Sequence, residues 1–162
     1  MNAPAGDPEI PVPTNTRPAR LAAALLGAWG LYQLLAGLYF IFLRPSLLPE
    51  DLRASSATLE GIRRAAPGIE AWLQWVFAVL GGQMAAVGVL VVNGAIGILL
   101  GRSPARMEVG AYIMSGLLSV ALMSGANFYL GSDFRWLLVA PAVLWLAAVI
   151  LLSRQAFVSM PQ

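Results

Sequence analysis

Four long apolar runs divide the chain: Leu21–Leu43, Ala71–Leu100, Val109–Leu130 and Phe134–Leu152. The bilayer core needs about 20 residues of α-helix. A β-barrel would instead show segments of roughly ten residues with alternating polarity, and no such alternation occurs. Backbone groups in lipid must be satisfied within the segment, so runs of this length read as helices. The pattern predicts an all-α integral membrane protein, a four-transmembrane-helix bundle over residues 21–153. The first run is longer than the roughly 7–15 residues of a signal-peptide core. Arg44-Pro45 follows it in place of a small-residue cleavage site, so it reads as a retained anchor.

The stretches between the runs are short except for residues 44–70. There Leu48, Leu52, Leu59, Ile62 and Ile69 fall within about 100° at helical periodicity, with Arg53, Glu60 and Arg64 opposite them. Pro49, Glu50 and Asp51 suit a helix start, and Pro67-Gly68 suits its end. An amphipathic helix over 49–66 is expected to lie on the membrane surface, as an anchor or as a lid over the spans. Glu60 can pair with Arg63 or Arg64. Residues 1–20 hold five prolines and no periodicity, which predicts a disordered tail. Residues 154–162 read as a second short tail.

Composition sharpens this picture. The chain of 162 residues is 59% hydrophobic and 11% charged, with a mean hydropathy of +0.74. Soluble domains are about one-quarter charged. All ten basic residues are Arg, and with abundant Ala, Gly and Pro this suggests a GC-rich bacterial genome and a bacterial inner membrane. A net charge of +2 spread along the chain is no nucleic-acid footprint. The sequence holds no Cys and no His, which excludes disulfides, thiol redox chemistry, Cys/His zinc sites and His-ligated iron. No cofactor or metal is expected, and no catalytic residue. No nucleophile–base pair or phosphate-binding loop is present, and Gly81-Gly82 lies inside a span, where it permits close packing.

Orientation follows from arginine. Arg17, Arg20, Arg102, Arg106 and Arg154 lie at the amino-terminal side, against Arg44, Arg53, Arg63, Arg64 and Arg135 opposite. Arg17 and Arg20 precede the first helix, which usually dominates, and the short loop concentrates its two. Both termini are therefore expected in the cytoplasm. Most aromatics, among them Trp72, Trp75, Tyr129 and Trp136, gather at the large-loop end as an interfacial belt or as the lining of a vestibule.

Counting from the middle of each run brings Gln33, Gln83, Ser119 and Trp145 to one depth, near the bilayer centre, with Tyr32 and Ser115 close by. An unpartnered amide in hydrocarbon is costly, so these side chains are expected to face inward. They serve either as hydrogen-bonding glue between helices or as a midplane pocket whose exits Asn93 and Asn127 would line. Ala111, Ser115 and Ser119 form a small-residue row on the third helix. Apart from Arg135 at the edge of the fourth run, no Asp, Glu, Lys or Arg lies in a span. Proton-coupled transporters use such groups, and small four-helix multidrug exporters need an acid in the first helix, which Leu21–Leu43 lacks.

Leu80-Gly81-Gly82-Gln83-Met84-Ala85-Ala86-Val87-Gly88 opens a Gly-rich second helix after a charged loop. With the helix count and chain length, this layout resembles the DoxX-like group of small four-helix bacterial membrane proteins. The resemblance implies a fold and no catalytic residue. Three functions follow as expectations. The first is a non-enzymatic partner, assembly or membrane-organising subunit, bound to the lipid bilayer and to a protein partner or a second copy. The next is a binder or facilitator of a small lipophilic or uncharged solute. The last is a membrane subunit of a redox or lipid-modifying complex whose chemistry lies in another chain.

Overall fold

A computed structural model describes residues 16–158. Among these, every regular element is helical: α1 (Arg17–Phe42), α2 (Pro49–Ser55), α3 (Leu59–Ala65), α4 (Ile69–Leu99), α5 (Arg106–Gly116), a π-helical turn (Leu117–Ala121), α6 (Leu122–Tyr129) and α7 (Val139–Val158). Four helical stretches are long and apolar enough to cross a membrane: α1, α4, the continuous α5–α6 unit, and α7 from Val139 to Ala156. Of the tail predicted for residues 1–20, residues 1–15 lie outside the described residues, as do residues 159–162.

Several boundaries move from those expected. Helix α1 begins at Arg17, so Arg17–Arg20 belong to it and not to the tail. Pro18 stands in its first turn, where a missing N–H costs nothing. The fourth long helix begins at Val139, five residues later than expected, because residues 133–138 form turns. The Ser132 hydroxyl accepts from the Phe134 amide at 3.1 Å and caps this turn. Pro141 then falls in the first turn of α7, where it is tolerated. Helix α7 also runs past Leu152 to Val158, into the segment read as a tail.

The expected amphipathic helix over 49–66 is two helices. Ser56 adopts a left-handed conformation with φ of 52° and ends α2. Thr58 then starts α3, its Oγ1 accepting from the Gly61 amide at 3.1 Å, a side-chain cap worth about 1 kcal/mol. The apolar stripe survives the break. Leu48, Leu52, Leu59 and Ile62 are half-buried, while Arg53, Glu60 and Arg64 are exposed.

Helix α1 is the centre of the molecule. It packs along α4 for most of its length and against α7 on another side. Ala22, Ala23, Leu26, Trp29 and Gln33 on α1 are fully buried. Glycines bring α1 and α4 into backbone contact. A Cβ on Gly37 would sit 2.5 Å from the Ala85 nitrogen and from the Gly81 oxygen, and one on Gly88 would sit 2.5 Å from the Leu34 nitrogen. The pairs are antiparallel and spaced by seven on both helices: Gly30 meets Gly88, and Gly37 meets Gly81. Small residues are how helices associate in lipid, where burial of apolar area gives no driving force.

Candidate functional site: a split polar layer

The seam with α1 sets which way α4 faces. With Gly81 and Gly88 turned to α1, a residue two positions after Gly81 lies about 200° around the helix. Gln83 is therefore exposed on the outer surface of α4. The expected four-membered cluster of Gln33, Gln83, Ser119 and Trp145 is thus broken: Gln83 stands on the side of α4 turned away from α1, which carries Gln33. Asn93 also faces outward.

The other three members do turn inward. Gln33 is fully buried, and its Nε2 donates to the Ser119 Oγ at 2.7 Å. Ser119 lies in the π-helical turn, and its hydroxyl donates to the Ser115 carbonyl one turn back. Side-chain competition for helix carbonyls of this kind bends helices. Trp145 of α7 donates its Nε1–H to the Tyr112 carbonyl at 3.0 Å, and the Ser115 hydroxyl donates to the same oxygen at 3.2 Å. Gly116 makes room for that indole, since a Cβ there would collide with the Trp145 ring. The Ala111, Ser115, Ser119 row does not pack as a unit: Ala111 is exposed. Asn127 satisfies itself, donating to the Met123 carbonyl at 2.9 Å.

Within this layer the Gln33 Oε1 and the Trp29 Nε1 are buried without a hydrogen-bond partner among the described residues. They stand one turn apart on α1, an acceptor and a donor on the same face. Trp29 escaped the sequence reading because a tryptophan in an apolar run carries no phase, and only its four-residue spacing from Gln33 could have flagged it.

The ends of the bundle differ in charge. At the large-loop end Arg44, Arg53, Arg63, Arg64 and Arg135 face Glu50, Asp51, Glu60, Glu70 and Asp133. Ion pairs join Arg44 to Asp51, Arg53 to Asp133, Arg63 to Glu70 and Arg64 to Glu60. The hydrogen bonds that Arg53 and Arg63 donate to Asp133 and Glu70 hold their guanidiniums above the ordinary pKa. The Glu50 carboxylate accepts from the buried Ser132 hydroxyl at 2.7 Å and from the Asp133 amide at 3.1 Å. Helix α2 is thereby tied to the turn before α7. Arg44 also lies 3.5 Å from the Phe77 ring centroid. At the other end, Glu108 is the one acid among the described residues, against Arg17, Arg20, Arg102, Arg106 and Arg154. Arg102 grips it with two bonds, at 2.7 and 2.8 Å, and the Tyr112 hydroxyl donates to it at 2.7 Å. These three side chains, with Leu90, Asn93 and Gly97, line a crevice of about 480 Å³ between α4 and α5.

The aromatic vestibule is not formed by the tryptophans expected to line it. Trp72, Trp75, Tyr129 and Trp136 are exposed, by 60, 75, 91 and 69%, and point away from the bundle. Among the described residues no three Asp, Glu, His or Cys side chains converge as metal ligands would. The chain matches no protein-family model, no curated protein and no solved structure.

Proposed function

We propose that this chain is a non-enzymatic, multi-pass protein of a bacterial inner membrane that works by binding another membrane-embedded polypeptide, as a partner, assembly or membrane-organising subunit. One observation carries the reading: Gln83 and Asn93 face outward from the middle and lower parts of α4. An exposed amide in hydrocarbon leaves two donors and an acceptor without partners, at a cost of about 1–3 kcal/mol by mutational measures. A partner helix removes that cost. A redox or lipid-modifying complex with its chemistry in another chain is one form such an assembly takes. The likeness in layout to the DoxX-like group agrees with a membrane protein of this size and assigns no residue a role.

Arginine balance supports the cytoplasmic placement of both termini. Four of the five large-loop arginines make ion pairs, while Arg135 donates to the Ser132 carbonyl instead; at the other end Arg102 pairs with Glu108, and Arg106 and Arg154 make no ion pair among the described residues. Arg17 and Arg20 precede the first helix, which usually dominates orientation, and the short loop concentrates Arg102 and Arg106.

A photo-crosslinking residue placed at Gln83 in native membranes tests the partner reading. A protein adduct is expected at Gln83 and not at Leu118, which is exposed on the π-helical turn of the third long helix. Irradiation that yields only lipid adducts at Gln83 overturns it. A second reading, a binder of a small uncharged solute, draws on the unpartnered Gln33 Oε1 and Trp29 Nε1. Mass spectrometry of the detergent-purified protein would then find a small molecule retained by the native chain and lost from Gln33→Leu.

A further inference from the structure

The outer face of α4 has a regular pattern. Trp72, Val76, Val79, Gln83, Ala86, Leu90, Asn93, Gly97 and Leu100 are separated by alternating steps of four and three. All are exposed except Gly97, which is half-buried under the Arg102 side chain. This is the heptad spacing that lets two helices run side by side at a shallow left-handed crossing. It lies on the side of α4 away from the glycine seam with α1. Its two polar members, Gln83 and Asn93, are ten residues apart, about 15 Å along the axis.

We propose that α4 pairs with α4 of a second copy of this chain, parallel to it about a twofold axis along the membrane normal, so that each Gln83 faces the other and each Asn93 faces the other. This rests on the partner reading above and names the partner. Copies inserted in the same orientation present their α4 helices parallel and at equal depth. A twofold axis then sets every residue of the stripe opposite itself. An amide is both donor and acceptor, so it satisfies its own copy, and here two amides do so at two depths together. A foreign helix would need polar residues at the same 15 Å interval and the same depths. Self-pairing would be penalised by any uncompensated charge on the stripe, because like charges would meet; Trp72 to Asn93 carries none, and the Arg102 that covers Gly97 is held by the Glu108 carboxylate. Ala86 between the amides keeps the helices close. Toward Leu100 the stripe borders the crevice beside Tyr112 and Glu108, which gives the second copy's leucines room to seat.

The chain has no cysteine, so single-Cys variants report directly. Ala86→Cys and Leu90→Cys, oxidised with copper phenanthroline in native membranes, should form disulfide-linked dimers. Ile96→Cys, exposed but off the stripe, and Val143→Cys on α7 should not. Adding Gln83→Leu and Asn93→Leu to Ala86→Cys should cut dimer yield by about fivefold or more, the scale of losing interhelical hydrogen bonds. Both residues face outward, so the helix fraction by circular dichroism should be unchanged and the loss is not one of folding. Equal crosslinking at all four positions, or dimers that survive the double Leu change undiminished, would overturn the pairing. Absence of the Ala86→Cys dimer beside a photo-adduct of Gln83 with a different protein overturns self-pairing and leaves the partner reading standing. Absence of both overturns both.

Discussion

Replacing Gly37 with alanine puts a methyl carbon 2.5 Å from two backbone atoms of α4, the Ala85 nitrogen and the Gly81 oxygen. Neither atom sits at the end of a flexible side chain, so the helices themselves must separate. Relief to an ordinary contact of about 3.5 Å requires a shift of about 1 Å, felt along the seam at Gly30 and Gly88 as well. Forced overpacking of this kind costs about 1–3 kcal/mol. Alanine recovers part of it, about 0.5–1 kcal/mol, through its better helix propensity. The expected net loss for Gly37→Ala or Gly81→Ala is therefore about 1–2 kcal/mol.

Gly82 supplies the internal control. No atom lies within 4 Å of where its Cβ would stand, so Gly82→Ala should gain about 0.5–1 kcal/mol from propensity alone. Two adjacent glycines then differ by about 2 kcal/mol and in sign. Thermal unfolding in mild detergent, followed by circular dichroism, reads this as shifts of about 3 °C per kcal/mol for a chain of this size. If Gly81→Ala and Gly82→Ala shift the midpoint equally, α4 does not face α1 through Gly81. The rotational phase on which Gln83's outward position depends would then be wrong.

Gly116→Ala should be more damaging, about 3 kcal/mol or more, because its Cβ would overlap the Trp145 ring. Pairing it with Trp145→Leu should restore much of the loss, and purely additive midpoints would refute the contact. Gln33→Leu removes the bond to Ser119, typically about 0.6–1.7 kcal/mol. It also removes a buried carbonyl with no partner, a liability of about 1–3 kcal/mol. Stability should therefore hold or rise slightly, and a midpoint drop of several degrees would show that the Oε1 is satisfied in the membrane. Ser56→Cys should react with an impermeant maleimide in intact cells while Ser103→Cys stays unlabelled; the reverse pattern would invert the orientation and leave the four helices intact.

The four long helices were legible in the sequence and their rotation was not. Helix rise is regular, so counting from the middle of a run gives each residue an expected level; Gln33 and Ser119, expected at one level, do meet, while Trp145 meets Tyr112 and Gly116 instead. Which way each points depends on how neighbouring helices meet, and in these runs apolar residues surround the helix on all sides. The water-soluble rule, that the apolar stripe faces in, has nothing to act on there. The boundary shifts have local causes of the same kind: a left-handed Ser56 and a capping Thr58 split one periodic stripe into two helices, and the Ser132 turn delays α7.

A phase signal was nevertheless present. Gly30 and Gly37 are seven residues apart on the first helix, and Gly81 and Gly88 are seven apart on the second. In lipid the inward face is the one whose residues are small enough for backbones to touch, and large apolar side chains face the solvent. With the glycines turned inward, Gln83 must face out, two residues beyond Gly81. An amide then stands where leucine would cost nothing. That placement is the ground of the proposed pairing. The same residue that was expected to face inward, as glue between helices or as the lining of a pocket, is thereby the strongest reason to look for a second helix outside the bundle.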